Sequence, residues 1–104
     1  KVVVFDKYNR ENHHGWLENS EFKKHIEVIL GDIRDLDSVE KSVKGCDTIF
    51  HLAALCGIPY SYISPLAYLK TNLIGTYNVL ESSKKMNCDN VIITSTSEVY
   101  GSAR

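Results

Sequence analysis

Apolar residues fall into four short runs separated by polar stretches and by two segments of helical spacing. Lys1 to Phe5 is Val-rich and ends at Asp6. A run unbroken by polar residues suits a strand buried on both faces of a parallel sheet. Lys7 to Lys24 is polar and irregular, with Asn9, Asn12, Gly15, Asn19 and Ser20. It reads as a loop with a short helix around Trp16 to Phe22. His25 to Leu30 is a second strand, followed at once by Gly31-Asp32. Asp37-Ser38-Val39-Glu40 has the form of a capping box, in which Asp37 accepts a backbone N–H and Glu40 reaches back. Val39 and Val43 share one helix face, and Gly45 supplies a stop.

Thr48 to Leu52 is the third strand. A loop with Gly57, Pro59 and two tyrosines, Tyr60 and Tyr62, comes next. Ser64-Pro65 predicts a helix start, with Ser at the N-cap and Pro at the first helical position. That helix is expected to run to about Lys85. Leu66, Leu69, Leu73, Thr76 and Leu80 recur at helical spacing, and Tyr77 widens their face. Gly75 sits mid-helix, where it costs ~1 kcal/mol against Ala. It makes sense there if the helix lies close to a sheet. Asn90 to Thr94 is the fourth strand. Strands alternating with helices imply β-α-β units and an α/β fold with a doubly wound parallel sheet.

Composition narrows the function classes. The chain has 104 residues, enough for one domain spanning 1–104, and 43% of them are hydrophobic. The formal net charge is -1 and no basic stripe occurs, so nucleic acid is not an expected partner. No apolar run approaches the ~20 residues that span a bilayer, so no membrane role is expected. The cysteines are Cys46, Cys56 and Cys88, without a C-x-x-C pair. Zinc and disulfide frameworks are therefore not expected, and a reducing cytoplasm is the natural setting. Each is read as a small core or loop residue rather than a nucleophile.

Ligands of open parallel sheets bind at the carboxyl ends of the strands. Asp6 at such an end either accepts the hydroxyls of an adenosine ribose, favouring NAD over NADP, or caps a loop. Asp32 reads first as a turn carboxylate in Gly-Asp-Ile-Arg-Asp; the other reading has it accepting an adenine amino proton, with Ile33 on the ring. Ala53 and Ala54 suit either close backbone approach to a ligand or packing under a helix. His51 reads as a packed strand residue, and His13-His14 as a solvated loop pair without a third metal ligand. Tyr60-Ser61-Tyr62 either lines a sugar pocket or packs as a hinge. Thr94 to Ser97 places four hydroxyls in a row at a strand end, followed by Glu98. Hydroxyls beside a carboxylate at the mouth of a sheet suit proton transfer on a polyol.

Five ordered blocks carry a resemblance over nearly the whole chain. They are Val4 to Asp6, Gly31 to Asp35, Asp47 to Ala54 (Asp-Thr-Ile-Phe-His-Leu-Ala-Ala), Thr71 to Glu81 (Thr-Asn-Leu-Ile-Gly-Thr-Tyr-Asn-Val-Leu-Glu) and Ser95 to Gly101 (Ser-Thr-Ser-Glu-Val-Tyr-Gly). Together they resemble the extended short-chain dehydrogenases/reductases, the NAD-dependent epimerase/dehydratase family. Ile58 to Pro65 with Thr94 to Gly101 is most similar to 4,6-dehydratases acting on nucleotide-linked N-acetylglucosamine in legionaminic-type pathways. The Thr-Ser-Glu triplet is also similar to UDP-glucuronate decarboxylases.

The resemblance implies a partial Rossmann-type sheet. The first strand with its Gly-x-x-Gly-x-x-Gly turn is expected before Lys1, and Tyr-x-x-x-Lys and the substrate domain after Arg104. It implies that Asp6 holds the adenosine ribose, Asp32 and Ile33 the adenine, and Leu52, Ala53 and Ala54 the pyrophosphate and nicotinamide ribose. Asn72 would brace this side from the long helix. Thr96 would bond the sugar 4-hydroxyl and Glu98 would be the carbon-5 base. Ser97 stands where related hexose dehydratases have an acidic Asp, and a hydroxyl is a poor general acid. The implied reaction is hydride transfer from carbon 4 to NAD, elimination of water across carbons 5 and 6, and hydride return to carbon 6. The substrate would be a nucleotide-sugar and the protein a homo-oligomer. An epimerase or decarboxylase is the rival within the family; a non-catalytic oligomerisation module is the rival outside it.

Overall fold

The computed structural model describes residues 1–7 and 13–102. Asn9 and Asn12 of the expected loop, and Arg104, lie outside them. β1 (Val2–Lys7) and β2 (Ile26–Gly31) pair in parallel, with Val4 opposite Val28 and Asp6 opposite Leu30. β3 (Thr48–His51) and β4 (Asn90–Ile93) form a second parallel pair, with Thr48 opposite Asn90 and His51 opposite Ile93. All four expected strands are present, shifted by a residue or two. The short helix expected between the first two is instead two 3₁₀ turns, Gly15–Asn19 and Lys23–His25. The polar stretch has no apolar row long enough to hold an α-helix against the core.

α1 (Leu36–Val43) begins two residues earlier than the capping-box reading placed it. Its N-cap is Asp35, with extended backbone, whose carboxylate accepts the Asp37 N–H at 3.2 Å and the Ser38 hydroxyl. Leu36, Val39 and Val43 form one i, i+3, i+7 row, and that row sets the start. Asp37 is thus inside the helix. Glu40 is free of capping and accepts Lys85 Nζ at 2.7 and 2.8 Å.

The stretch expected as a loop before Ser64 contains α2 (Ile58–Ile63), with Pro59 in its first turn. α3 (Pro65–Tyr68) follows, then a π-helical segment, Leu69–Ile74, then α4 (Gly75–Lys85). Ser64 stands at the N-cap of α3, but its side chain makes no capping hydrogen bond. The face of the long helix that packs inward is not the one that carries the leucine row. Gly75, Asn78, Val79, Ser82 and Ser83 are buried, whereas Leu66, Leu69, Leu73, Tyr77 and Leu80 are exposed. Small residues win the inner face because they let α4 approach α1 and the turn after β2 closely. Asn78 Nδ2 donates to the Ile33 carbonyl at 2.9 Å. A Cβ on Gly75 would lie 2.5 Å from Ile33 Cδ1, so the close approach is to the turn after β2.

The buried core is Ile33, Val39, Val43 and Val79, with Phe5, Ile49 and Met86 packed against it. Among the described residues β1 pairs only with β2, and β3 only with β4. Between the two pairs runs an open cleft of about 830 Å³, lined on one side by Val2 to Phe5 and on the other by Thr48 to Ala53.

Candidate functional site

The strands within each pair run parallel, so the chain leaves each pair at one edge. Asp6 and Gly31-Asp32 lie at the carboxyl ends of β1 and β2; His51 to Ala54 and Thr94 to Glu98 follow β3 and β4. The Thr94 N–H donates to the His51 carbonyl at 3.2 Å, extending the second pair by one rung.

The segment after β3 is held by one stripe of the long helix. Tyr68, Asn72 and Thr76 are spaced four apart and share that stripe. Tyr68 Oη lies 2.7 Å from the carbonyls of both Cys56 and Gly57. Asn72 Oδ1 accepts the Leu55 N–H at 2.8 Å and its Nδ2 donates to the Leu55 carbonyl at 3.0 Å. Thr76 Oγ1 lies 2.9 Å from His51 Nε2 and donates to the Asn72 carbonyl at 2.7 Å. The stripe therefore fixes the backbone just past Ala54, at residues 55–57, where Gly57 has φ 104°. Leu52, Ala53 and Ala54 themselves stay exposed, which leaves their surface open to a ligand. His51 is buried, and desolvation lowers its pKa, as suits a neutral packed histidine.

Sequence reasoning found Asn72 but assigned Thr76 to an apolar face and gave Tyr68 no role. Their four-residue spacing with Asn72 was the available signal. The π-helical segment contains Asn72; such segments are frequent at functional sites.

Asp32 is the turn carboxylate that its context suggested. Its Oδ1 accepts the Arg34 N–H and Nε at 2.9 Å each, and Oδ2 accepts Arg34 Nη2 at 2.6 Å. Chiefly through the Arg34 side-chain hydrogen bonds, its pKa falls to about 2. Ile33 is 8% exposed and its side chain belongs to the core under Gly75, so it is not laid out on the surface for a ring. Asp6 is exposed, and its Oδ1 accepts the Lys7 N–H at 2.7 Å.

Thr96 caps the 3₁₀ turn Ser97–Tyr100, and its Oγ1 accepts the Glu98 N–H at 3.2 Å. A threonine hydroxyl that accepts one bond keeps its own proton to donate. Thr96, Ser97 and Glu98 are all exposed and do not line the cleft between the strand pairs. Tyr60, on α2, packs its ring 6.1 Å from that of Tyr68 at 55°, so it supports the clamp on the loop. Ser61 donates to the Ile58 carbonyl at 2.6 Å, and Tyr62 is exposed.

Comparison with known proteins joins these features. The family model described as GDP-mannose 4,6 dehydratase matches residues 1–104. A probable UDP-glucuronate 4-epimerase from Rhizobium meliloti is 34% identical over 97 residues, covering 93% of this chain and 28% of that protein. A solved dTDP-glucose 4,6-dehydratase from Streptomyces venezuelae, with NAD bound, is 30% identical at a TM-score of 0.86. That match covers 100% of this chain and 32% of the other. A UDP-glucose 4-epimerase from Bifidobacterium longum, in complex with NAD+ and UDP, is 29% identical at a TM-score of 0.81, covering 96% of this chain and 31% of the other. The chain thus spans about a third of the length of these proteins.

Proposed function

Because the chain belongs to the GDP-mannose 4,6-dehydratase family of extended short-chain dehydrogenases/reductases, with their Rossmann-type fold, we propose that it forms part of an NAD-dependent nucleotide-sugar 4,6-dehydratase. The observation that carries this reading is Thr96 with Glu98 at the carboxyl end of β4, beside a β3 segment fixed by Asn72. NAD fits the residues present. Asp6 offers acceptors for a ribose diol at the end of β1, and small Ala53 and Ala54 leave room for a backbone approach. When bound, NAD supplies a hydride acceptor for carbon 4 and a hydride donor for carbon 6.

Residues of this chain take the following parts. Asp6 binds the ribose, and Asp32 orders the neighbouring turn through Arg34. Asn72, with Tyr68 and Thr76, holds the segment on which the dinucleotide rests. Thr96 donates a hydrogen bond to the sugar 4-oxygen, and the 4-hydroxyl proton lost as the hydride departs would go to the Tyr of the Tyr-x-x-x-Lys pair that the resemblance implies after Arg104. Once carbon 4 is a carbonyl, the carbon-5 proton is acidified, and Glu98, the only carboxylate in Thr94 to Gly101, removes it. Ser97 lacks the acidity to protonate the departing 6-hydroxyl, so that proton comes from another group. This same feature supports a second reading, UDP-glucuronate decarboxylation, which needs no such acid. A homo-oligomer joined through a second copy of this chain is supported by the exposed row of Leu66, Leu69, Leu73, Tyr77 and Leu80.

Two variants of the full-length enzyme test the assignment by failing differently. Glu98→Gln is expected to form enzyme-bound NADH in a single turnover but to stall before elimination and to lose carbon-5 exchange with solvent deuterium. Thr96→Val is expected to slow NADH formation itself, by about 10²-fold if its hydrogen bond contributes ~2.7 kcal/mol in the transition state. Near-normal exchange and turnover in Glu98→Gln would remove Glu98 as the base.

A further inference from the structure

Two helices end in matching fashion, one step before adjacent strands. α1 ends at Val43 and α4 at Lys85. Gly45 (φ 79°) and Asn87 (φ 55°) then take left-handed backbone, and Cys46 and Cys88 follow them. The Cys46 N–H donates to the Val43 carbonyl at 3.0 Å, and the Cys88 N–H to the Ser83 carbonyl at 3.0 Å. Next come Asp47 and Asp89, tied together because the Asp47 carbonyl accepts the Asp89 N–H at 2.8 Å and the Asn90 N–H at 3.1 Å. Thr48 and Asn90 then open the parallel ladder opposite each other.

Cys46 and Cys88 thus each stand immediately before one of the two aspartates that are bonded to each other, and each two residues before the first rung of the ladder. That rung joins strands roughly 4.7–4.9 Å apart, and disulfides span roughly 4.4–6.8 Å between α-carbons. Both cysteines are half-buried. The Cys46 thiol lies 3.7 Å from the Ser42 carbonyl, on the side of α1. Burial, and then the charge of Cys46, raise the pKa of the Cys88 thiol, as two thiols near each other require. Cys56 is exposed and lies beyond the opposite end of β3.

We propose that Cys46 and Cys88, in the turns that lead into β3 and β4, are a paired dithiol, a reversible modification site that a small-molecule disulfide of the glutathione type closes. The site lies at the amino ends of β3 and β4, away from the edge that carries Thr96 and Glu98, and does not depend on the reaction proposed there. The thiolate of Cys46 attacks one sulfur of the disulfide and displaces a small thiolate, leaving a mixed disulfide. The thiolate of Cys88, the slower attacker because its pKa is raised, then attacks the Cys46 sulfur and displaces the second small thiol. Two protein thiols are oxidised by two electrons, one small disulfide is reduced to two thiols, and their two protons come from the protein thiols. The odd cysteine count had treated all three residues alike; their placement separates Cys56 from the pair.

The test is to equilibrate the purified native protein with oxidised glutathione and map its peptides by mass spectrometry without reduction. The expected product joins the Cys46 peptide to the Cys88 peptide, two hydrogen atoms lighter than the free pair, and reverts with dithiothreitol. The Cys56→Ser protein, which lacks the exposed competing thiol, is expected to give the same cross-link. Persistent mixed disulfides at Cys46 or Cys88, pairing of either with Cys56, or no reaction in the native protein would each overturn the proposal.

Discussion

Replacing Gly75 with Ala sets two effects of similar size against each other. In a helix interior Ala is favoured over Gly by about 0.8–1.0 kcal/mol. Against this, the added Cβ would lie 2.5 Å from Ile33 Cδ1 and 2.7 Å from Ile33 Cγ1. Carbon atoms are at ease roughly 3.5–4.0 Å apart, so the overlap is about 1 Å. Rotation about the outer torsion of Ile33 moves Cδ1 but leaves Cγ1 in place. Relief needs a change at χ1, which is stiff in a β-branched residue, and Ile33 is confined by Val39, Val43 and Val79. Overpacking of this kind costs about 1–3 kcal/mol. The net expectation is destabilisation by about 1 kcal/mol, seen as a lower urea midpoint at unchanged slope. Ile33→Ala removes both offending atoms and leaves only Cβ, at 3.4 Å. In that background Gly75→Ala is expected to stabilise, by about the helix-propensity difference. A higher midpoint for Gly75→Ala alone would refute the close approach. So would failure of the sign to reverse beside Ile33→Ala.

Other consequences follow from charge and from the open edges. Asp6→Ala in the full-length enzyme is expected to relax a preference for NAD over NADP, measured by titration with both cofactors; equal or tighter NADP binding in the parent would remove the role given to Asp6. The Asp32 pKa, lowered to about 2 from 3.8, contributes stability that is present above about pH 4 and is lost as pH falls through about 2. Because the ion pair with Arg34 is largely at the surface, that contribution is no more than about 1 kcal/mol. Asp32→Asn is therefore expected to flatten acid unfolding between those values, and an unchanged profile would contradict this. A polypeptide of residues 1–104 alone, in which one edge each of β1 and β3 is unpaired among the described residues, is expected to self-associate or unfold and to bind NAD poorly. A stable monomer in light scattering that binds NAD at micromolar concentration would count against that.

The strands and the α/β order were legible because buried parallel strands are short runs of Val, Ile and Phe, and nothing else in this chain looks like them. The carboxyl-end rule then brought Asp6, Asp32, Ala53 and Thr96 to strand ends without any coordinates. What failed was the long helix. Its leucine row is conspicuous as a helix face, yet Gly75, Asn78, Val79 and Ser82 are the residues that pack inward. Apolar periodicity reports that a face avoids water, not which body covers it, and small residues are chosen where helices approach closely. The clamp by Tyr68 and Thr76 was hidden for a related reason. Tyr68 bonds carbonyls 11 and 12 residues away and Thr76 a side chain 25 residues away, partners that their four-residue spacing with Asn72 does not name. Asp35 displaced Asp37 as a cap because the apolar row at Leu36, Val39 and Val43 decides where α1 begins.

The reaction itself can be read in one measurement. The full-length enzyme, loaded with NAD, is incubated with UDP-N-acetylglucosamine in deuterated water, and the sugar product is analysed by mass spectrometry and NMR. A 4,6-dehydratase yields a 4-keto-6-deoxy sugar that has lost one water and carries solvent deuterium at carbon 5. That is the predicted result, with deuterium uptake abolished in Glu98→Gln. A product of unchanged mass, inverted at carbon 4 and free of deuterium at carbon 5, would contradict it and make the protein an epimerase. Release of carbon dioxide from UDP-glucuronate, with no dehydration of any hexose substrate, would contradict it in favour of decarboxylation.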